Sequence, residues 1–175
     1  MSNLILNNDA MHPELLAIQH IYSLLKLECS QPIPVRESAE YCAYSFKLNN
    51  SSIQFRAAKI TPTKIGQFVT LWKRSEKGPI LPYDSADLVD YVVINTSKEE
   101  HFGQFIFPKS VLRNQGVFSV NADGGKRAIR VYPSWDITLN KQAQKTQKWQ
   151  LEYFLEIPKN GEIDISRAKR LYENK

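Results

Sequence analysis

The chain is poor in the residues that make covalently stapled or metal-held folds. It has two cysteines and three histidines among 175 residues. Cys29 and Cys42 are too few for a disulfide framework, and their apolar neighbours place them in or near a core, so a reduced, cytoplasmic setting is expected. His12, His20 and His101 stand apart, which leaves no closely spaced Cys/His set for zinc. No apolar run approaches the roughly 20 residues of a membrane span, so no membrane partner is expected. The opening stretch MSNLILNNDA has neither a basic segment nor a long apolar one and does not read as a secretory signal. A phosphate loop is missing too. In NADGGKR, Val120 stands where the first glycine of such a loop belongs, and Arg127 replaces the metal-binding Ser or Thr. There is no Gly-x-Ser-x-Gly elbow.

Acids are missing where a metal-dependent nuclease would place them. Such enzymes set an acid on one strand and an acid-x-lysine triplet on the next, because a hard cation demands oxygen ligands. Leu71 precedes Lys73 by two places, Ala57 precedes Lys59, Gln54 precedes Arg56, and Phe107 precedes Lys109. Asp84, Asp87 and Asp90 cluster in sequence, but no lysine follows at the right spacing. They read as a solvated acidic loop entering a strand. Together with Glu40 they are also the residues an unorthodox metal site would use. No catalytic residue, metal or cofactor is expected.

What the chain does have is segregated positive charge. Lys and Arg exceed Asp and Glu by 23 to 18. From Arg56 to Lys77 six basic residues meet one acid, and from Lys109 to Lys148 eight meet two. If these segments fold together they make a face that attracts polyanions. Scattered charge on a solvated surface is the plainer alternative.

The pattern along the chain predicts α+β: a mixed sheet flanked by helices, in one domain over residues 1–175. Pro13 opens a helix running to about Glu28, with apolar residues spaced by three and four. Tyr44, Phe46 and Leu48 alternate, as do Ile53 and Phe55, around Asn-Asn-Ser-Ser, which is a hairpin signal. Phe68 to Trp72, DYVVIN and QFIF read as buried strands. Pro108 starts a short helix that Gly116 closes. VFSV and AIRVY read as a second hairpin turning at Asp123-Gly124. LNKQAQKTQKWQLEYFLEI has the composition of one long helix capped by Asn140. Lys141, Lys145 and Lys148 share one face of it, and Asp164 caps a last helix.

The stretches QFRAAKITPTKIGQFVTLWKR, FPKSVL, GKRAIRVYPSWD and NKQAQKTQKWQL closely resemble the MepB family of small bacterial proteins. Some members of that family are encoded beside a multidrug efflux pump and its repressor. The resemblance implies a fold similar to the PD-(D/E)XK endonuclease core with its catalytic acids not kept. It also implies binding of nucleic acid, DNA or RNA, without established cleavage. On this reading phosphates meet Arg56, Lys59, Lys64, Lys73, Arg74, Lys109, Lys126, Arg127, Arg130, Lys141, Lys145 and Lys148. Trp72, beside Lys73, is placed to stack a base, which favours single strands. The alternatives are a metal-dependent nuclease built on the acids named above, and a regulator that binds a protein or a small molecule.

Overall fold

The computed structural model describes residues 13–174, so the opening stretch and His12 lie outside the described residues. The elements are α1 (Pro13–Leu24), β1 (Ile33–Pro34), β2 (Tyr44–Leu48), β3 (Ser51–Ala57), β4 (Lys59–Ile60), β5 (Gln67–Thr70), β6 (Trp72–Arg74), β7 (Ile80–Pro82), β8 (Tyr91–Lys98), β9 (His101–Pro108), α2 (Lys109–Asn114), β10 (Ala128–Val131), α3 (Lys141–Leu151), β11 (Phe154–Glu156) and α4 (Ile165–Glu173). The predicted α+β arrangement, a mixed sheet flanked by helices, is what forms. No helix among the described residues is long and apolar enough to cross a membrane.

The main sheet has six strands in the order β1-β2-β3-β8-β9-β11. β3 and β8 run parallel, and the other neighbours are antiparallel. The expected hairpin of β2 and β3 is present, with Phe46 opposite Ile53 and Tyr44 opposite Phe55. β8 is buried from Tyr91 to Thr96, which is why its sequence reads as a continuous rather than an alternating apolar run. Side chains alternate across the sheet and divide the interior in two. Tyr91, Val93 and Ile106 face a core closed by α1 and α4. Val92, Ile94, Phe105 and Phe107 face a second core with Val69, Leu71 and Ile129 from a smaller sheet. That smaller sheet has the order β10-β5-β4. In the first core the Tyr172 hydroxyl donates to Gln104 Oε1, Tyr22 and Tyr172 share a 3.1 Å hydrogen bond, and the Tyr91 hydroxyl donates to Tyr172 O.

Three expectations change. First, the Phe68–Trp72 strand belongs to the smaller sheet and breaks at Leu71, whose N–H donates to Arg127 O. Leu71 is 1% exposed and fills the second core. Second, Val117–Val120 and Ala128–Val131 do not pair. Val120 and Asp123 exchange hydrogen bonds around Asn121 and Ala122, both at positive φ. Gly124 and Gly125, also at positive φ, then swing the chain away, and β10 pairs with β5 instead. Third, the long helix stops at Leu151. Its apolar tail, Phe154–Glu156, becomes β11 and closes the edge of β9. Burial against the sheet outweighs a helical propensity worth only tenths of a kcal/mol per residue.

Gly103 shows how tightly that edge is closed. A Cβ at this position would stand 2.4 Å from Phe154 Cζ and 2.9 Å from Leu155 O. We expect Gly103→Ala to lower stability by roughly 1–3 kcal/mol through overpacking. Urea denaturation measures this. An unchanged midpoint would mean that Phe154 yields without cost.

Candidate nucleic-acid interface

Helix α3 is set on the smaller sheet by its amide side chains. Asn140 Oδ1 accepts the Ala143 N–H and caps the helix. Gln150 is 1% exposed; its Oε1 accepts from Tyr132 N and its Nε2 donates to Arg130 O. Gln147 Nε2 donates to Pro133 O and Asp136 O, at 3.0 and 2.9 Å. Trp149 packs on Phe107 with ring centroids 5.3 Å apart, so it is a packing residue. Between α3, β10 and the 61–66 segment lies a groove of ≈ 810 Å³. Lys64, Lys126, Arg130 and Lys145 line it, and among the described residues none that lines it is acidic. Tyr132, Ile65 and Leu139 add apolar surface.

The 61–66 segment forms one wall as a ridge, and Arg130 holds it from beneath. Arg130 Nη1 donates to Thr61 Oγ1, Ile65 O and Gly66 O at 3.0, 3.4 and 3.2 Å. Its guanidinium also lies 5.8 Å from the Phe68 ring centroid. Gly66, at φ +83, sits so close to Tyr132 that a Cβ would lie 2.7 Å from the ring. Arg130 therefore both lines the groove and positions its wall.

The remaining sequence-predicted residues lie elsewhere, and several have other work. Arg56 corrects the expectation most sharply: it is 0% exposed on β3 and offers nothing to a surface phosphate. Its Nη1 donates to Phe55 O and Gln54 Oε1, its Nη2 to the Tyr83 hydroxyl, and its Nε has no partner among the described residues. Burial holds its pKa below the ordinary arginine value. Lys73 donates to Asp87 at 2.7 Å, and Lys109 Nζ donates to Ser85 O and Asp87 O. Both lysines tie down the acidic loop rather than face the groove. Lys59 lies over the Tyr41 ring, and Arg74 over that of Trp72, which is only partly exposed on β6. Arg127, Lys141 and Lys148 are exposed but do not line the groove. Sequence reasoning missed Tyr132, Leu139 and the two clamping glutamines. The spacing Ala143, Gln147, Gln150 marks one helix face, but glutamine there reads as solvated until a strand edge is known to face it.

The acids of the 84–90 loop build its turns. Asp84 accepts from Ala86 N, Ser119 Oγ and Ala122 N, Asp87 Oδ2 accepts from Asp84 N, and Asp90 Oδ2 accepts from Ser52 N. Among the described residues no three His, Cys, Asp or Glu side chains come together as a metal site. The bonds to Asp84 pull its pKa down to about 2. A carboxyl whose folded pKa lies below its unfolded value stabilises the fold above the unfolded pKa and loses that contribution as pH falls through the folded one. We therefore expect Asp84→Asn to be less stable than the parent at neutral pH, with the gap closing between about pH 4 and about pH 2. Urea melts across that range test this. A gap that widens in acid would refute it.

Known proteins place this architecture. The MepB-like family model matches residues 35–156. The crystal structure of MepB is 36% identical and covers 87% of this chain and 100% of its own, with a TM-score of 0.73. A bacterial homing endonuclease, I-Ssp6803I, aligns over 79% of this chain and 86% of its own at 16% identity, with a TM-score of 0.46. No curated protein matches the chain. With the family pattern spanning both sheets and α3, the chain belongs to the MepB-like family.

Proposed function

We propose that the protein binds nucleic acid, with a preference for single-stranded DNA or RNA, through the groove beside α3, and that its nuclease-like core does not cleave. The observation that supports this reading is the groove's charge: among the described residues, four cations and no carboxylate line a concave surface. Such a surface concentrates phosphates, and each phosphate neutralised releases counterions, so binding weakens as salt rises. Tyr132, Ile65 and Leu139 give an unstacked base apolar surface to cover, which a duplex keeps for its own stack.

The absence of cleavage rests on chemistry. The β2–β3 pair has Ser45 opposite Gln54, and the triplet Gln54-Phe55-Arg56 ends in a buried arginine. An amide and a hydroxyl are poor ligands for Mg²⁺ compared with two carboxylates. The acids of the 84–90 loop are bonded to backbone and to Lys73, which supports a structural role for them.

Anisotropy of labelled single-stranded and duplex oligonucleotides at two salt concentrations tests the proposal. Lys64→Ala, Lys126→Ala and Lys145→Ala should each weaken binding across sequences and flatten the logarithmic salt dependence by about 0.7–0.9 for each phosphate no longer neutralised. Lys47→Ala, exposed on β2, should change neither. The same mixtures with Mg²⁺ should show intact strands on a denaturing gel. Metal-dependent fragments, or three groove variants indistinguishable from the parent, would refute the proposal.

A further inference from the structure

The ridge has a second side. Thr63, Lys64 and Ile65 line the basic groove and also a second cavity of ≈ 430 Å³. The two hollows therefore flank one bar of chain, with Lys64 common to both. Their chemistry differs. The second sets Ile60, Pro62, Ile65, Trp135 and Ile137 beside the uncharged polar side chains of Thr61, Thr63 and Gln67. Its charged residues besides Lys64 are Lys98 and Asp136, which face each other at 3.8 Å, so the pair adds little net charge. Four aliphatic side chains stand out to solvent around the ridge: Ile60 at 56%, Ile65 at 38%, Ile137 at 78% and Leu139 at 78%. Large apolar side chains grouped at the mouth of a concavity mark a binding surface more often than singly scattered ones do.

We infer that this second cavity is a base-binding subsite, and that one unpaired strand crosses the ridge with its phosphates in the basic groove and a base in the second cavity. The inference rests on the nucleic-acid reading above and adds where the base goes. Three observations carry it. The cavity lies within the range of about 300–1,000 Å³ found for small-ligand sites. Its walls join the Trp135 ring and the Ile60, Pro62, Ile65 and Ile137 side chains to Thr61, Thr63 and Gln67, which offers a base both a surface for its face and polar groups for its edge. Two of its lining residues, Gln67 and Trp135, each keep a buried polar atom, the acceptor Oε1 and the donor Nε1, with no partner among the described residues. A base edge presents both donors and acceptors, whereas a phosphate diester presents acceptors alone. Charge selects the same occupant. The adjoining groove, with four cations and no carboxylate, continues the site for a polyanion. The ridge between them is fixed by Arg130 and Gly66, so the spacing of the two hollows is built in.

The test compares two labelled oligonucleotides of about 12 nucleotides with the same number of phosphates, one carrying thymine throughout and one abasic throughout. Anisotropy is read on the full chain at one low salt concentration. The thymine strand should bind about tenfold tighter than the abasic strand. The double variant Ile60→Ser/Ile137→Ser should lose most of that preference, keeping only the share that Tyr132 and Leu139 supply from the groove, and leave abasic binding unchanged, since both side chains are exposed and neither lines the groove. Lys145→Ala should weaken both strands by the same factor. Equal binding of the two strands by the parent protein overturns the subsite while leaving the basic groove as a phosphate binder, and it needs no variant to fold. Retention of the full preference in a folded double variant also overturns it. Polyglutamate that competes as well as the thymine strand would assign the surface to acidic protein instead. Binding of neither strand would refute the nucleic-acid reading itself.

Discussion

The placement of α3 depends on one amide. The open edge of β10 presents Tyr132 N–H and Arg130 C=O, and a buried strand edge with unmet hydrogen bonds costs on the order of 1–3 kcal/mol per group. Gln150 supplies one acceptor and one donor and satisfies both, as a neighbouring strand would. This fixes the helix in height and in rotation. One residue of helix turns the side chain through about 100°. With Gln150 against the strand, Trp149 must meet Phe107 and Lys145 must lie over the groove. The basic surface therefore follows from a neutral contact made beneath it.

Charge is separated by the same economy of partners. Lys73 and Lys109 lie close in sequence to the groove lysines, yet both are committed to the 84–90 loop, where they hold Asp87. That loop keeps its carboxylates bonded to its own backbone and to Ser52 and Ser119. The acids are compensated locally, and no carboxylate among the described residues reaches the groove lining. The groove cations thus act on their surroundings at full strength, apart from Arg130, whose Nη1 serves the ridge. A modest net charge over the whole chain then becomes a concentrated one over a single concavity.

Much of the scaffold could be read from the sequence because local signals agreed with the final packing. The alternation in β2 and β3 matched their register, and Asn140, Asp164 and Gly116 ended their helices where side-chain chemistry and positive φ demand. The errors arose where distant partners decide. Nothing local in Gln-Leu-Glu-Tyr-Phe-Leu-Glu announces that Phe154 will leave a helix to pack on Phe105, ring centroids 4.7 Å apart. Asp123-Gly124 carries a turn signal, but the turn forms two residues earlier, at Asn121-Ala122, and the two glycines redirect the chain towards Pro82. For the site, charge runs named the right residue type but not its face. Arg56 obeys strand alternation: it lies on the opposite face from Ile53 and Phe55 and points towards the second core, which the sequence shows only as a neighbour's apolar residues.

The short strand β11 carries a consequence for how the chain is made. It pairs with β9 through Gly103, Gln104 and Phe105, some fifty residues earlier in the sequence. A chain emerging from a ribosome has β8 and β9 in hand long before Phe154–Glu156 appear. Until then the outer rim of β9 is an open row of N–H and C=O groups beside buried phenylalanines, and a neighbouring nascent chain can add to it. The last strand to be synthesised is thus the one that makes the sheet safe, and a message truncated before residue 154 encodes an adhesive protein.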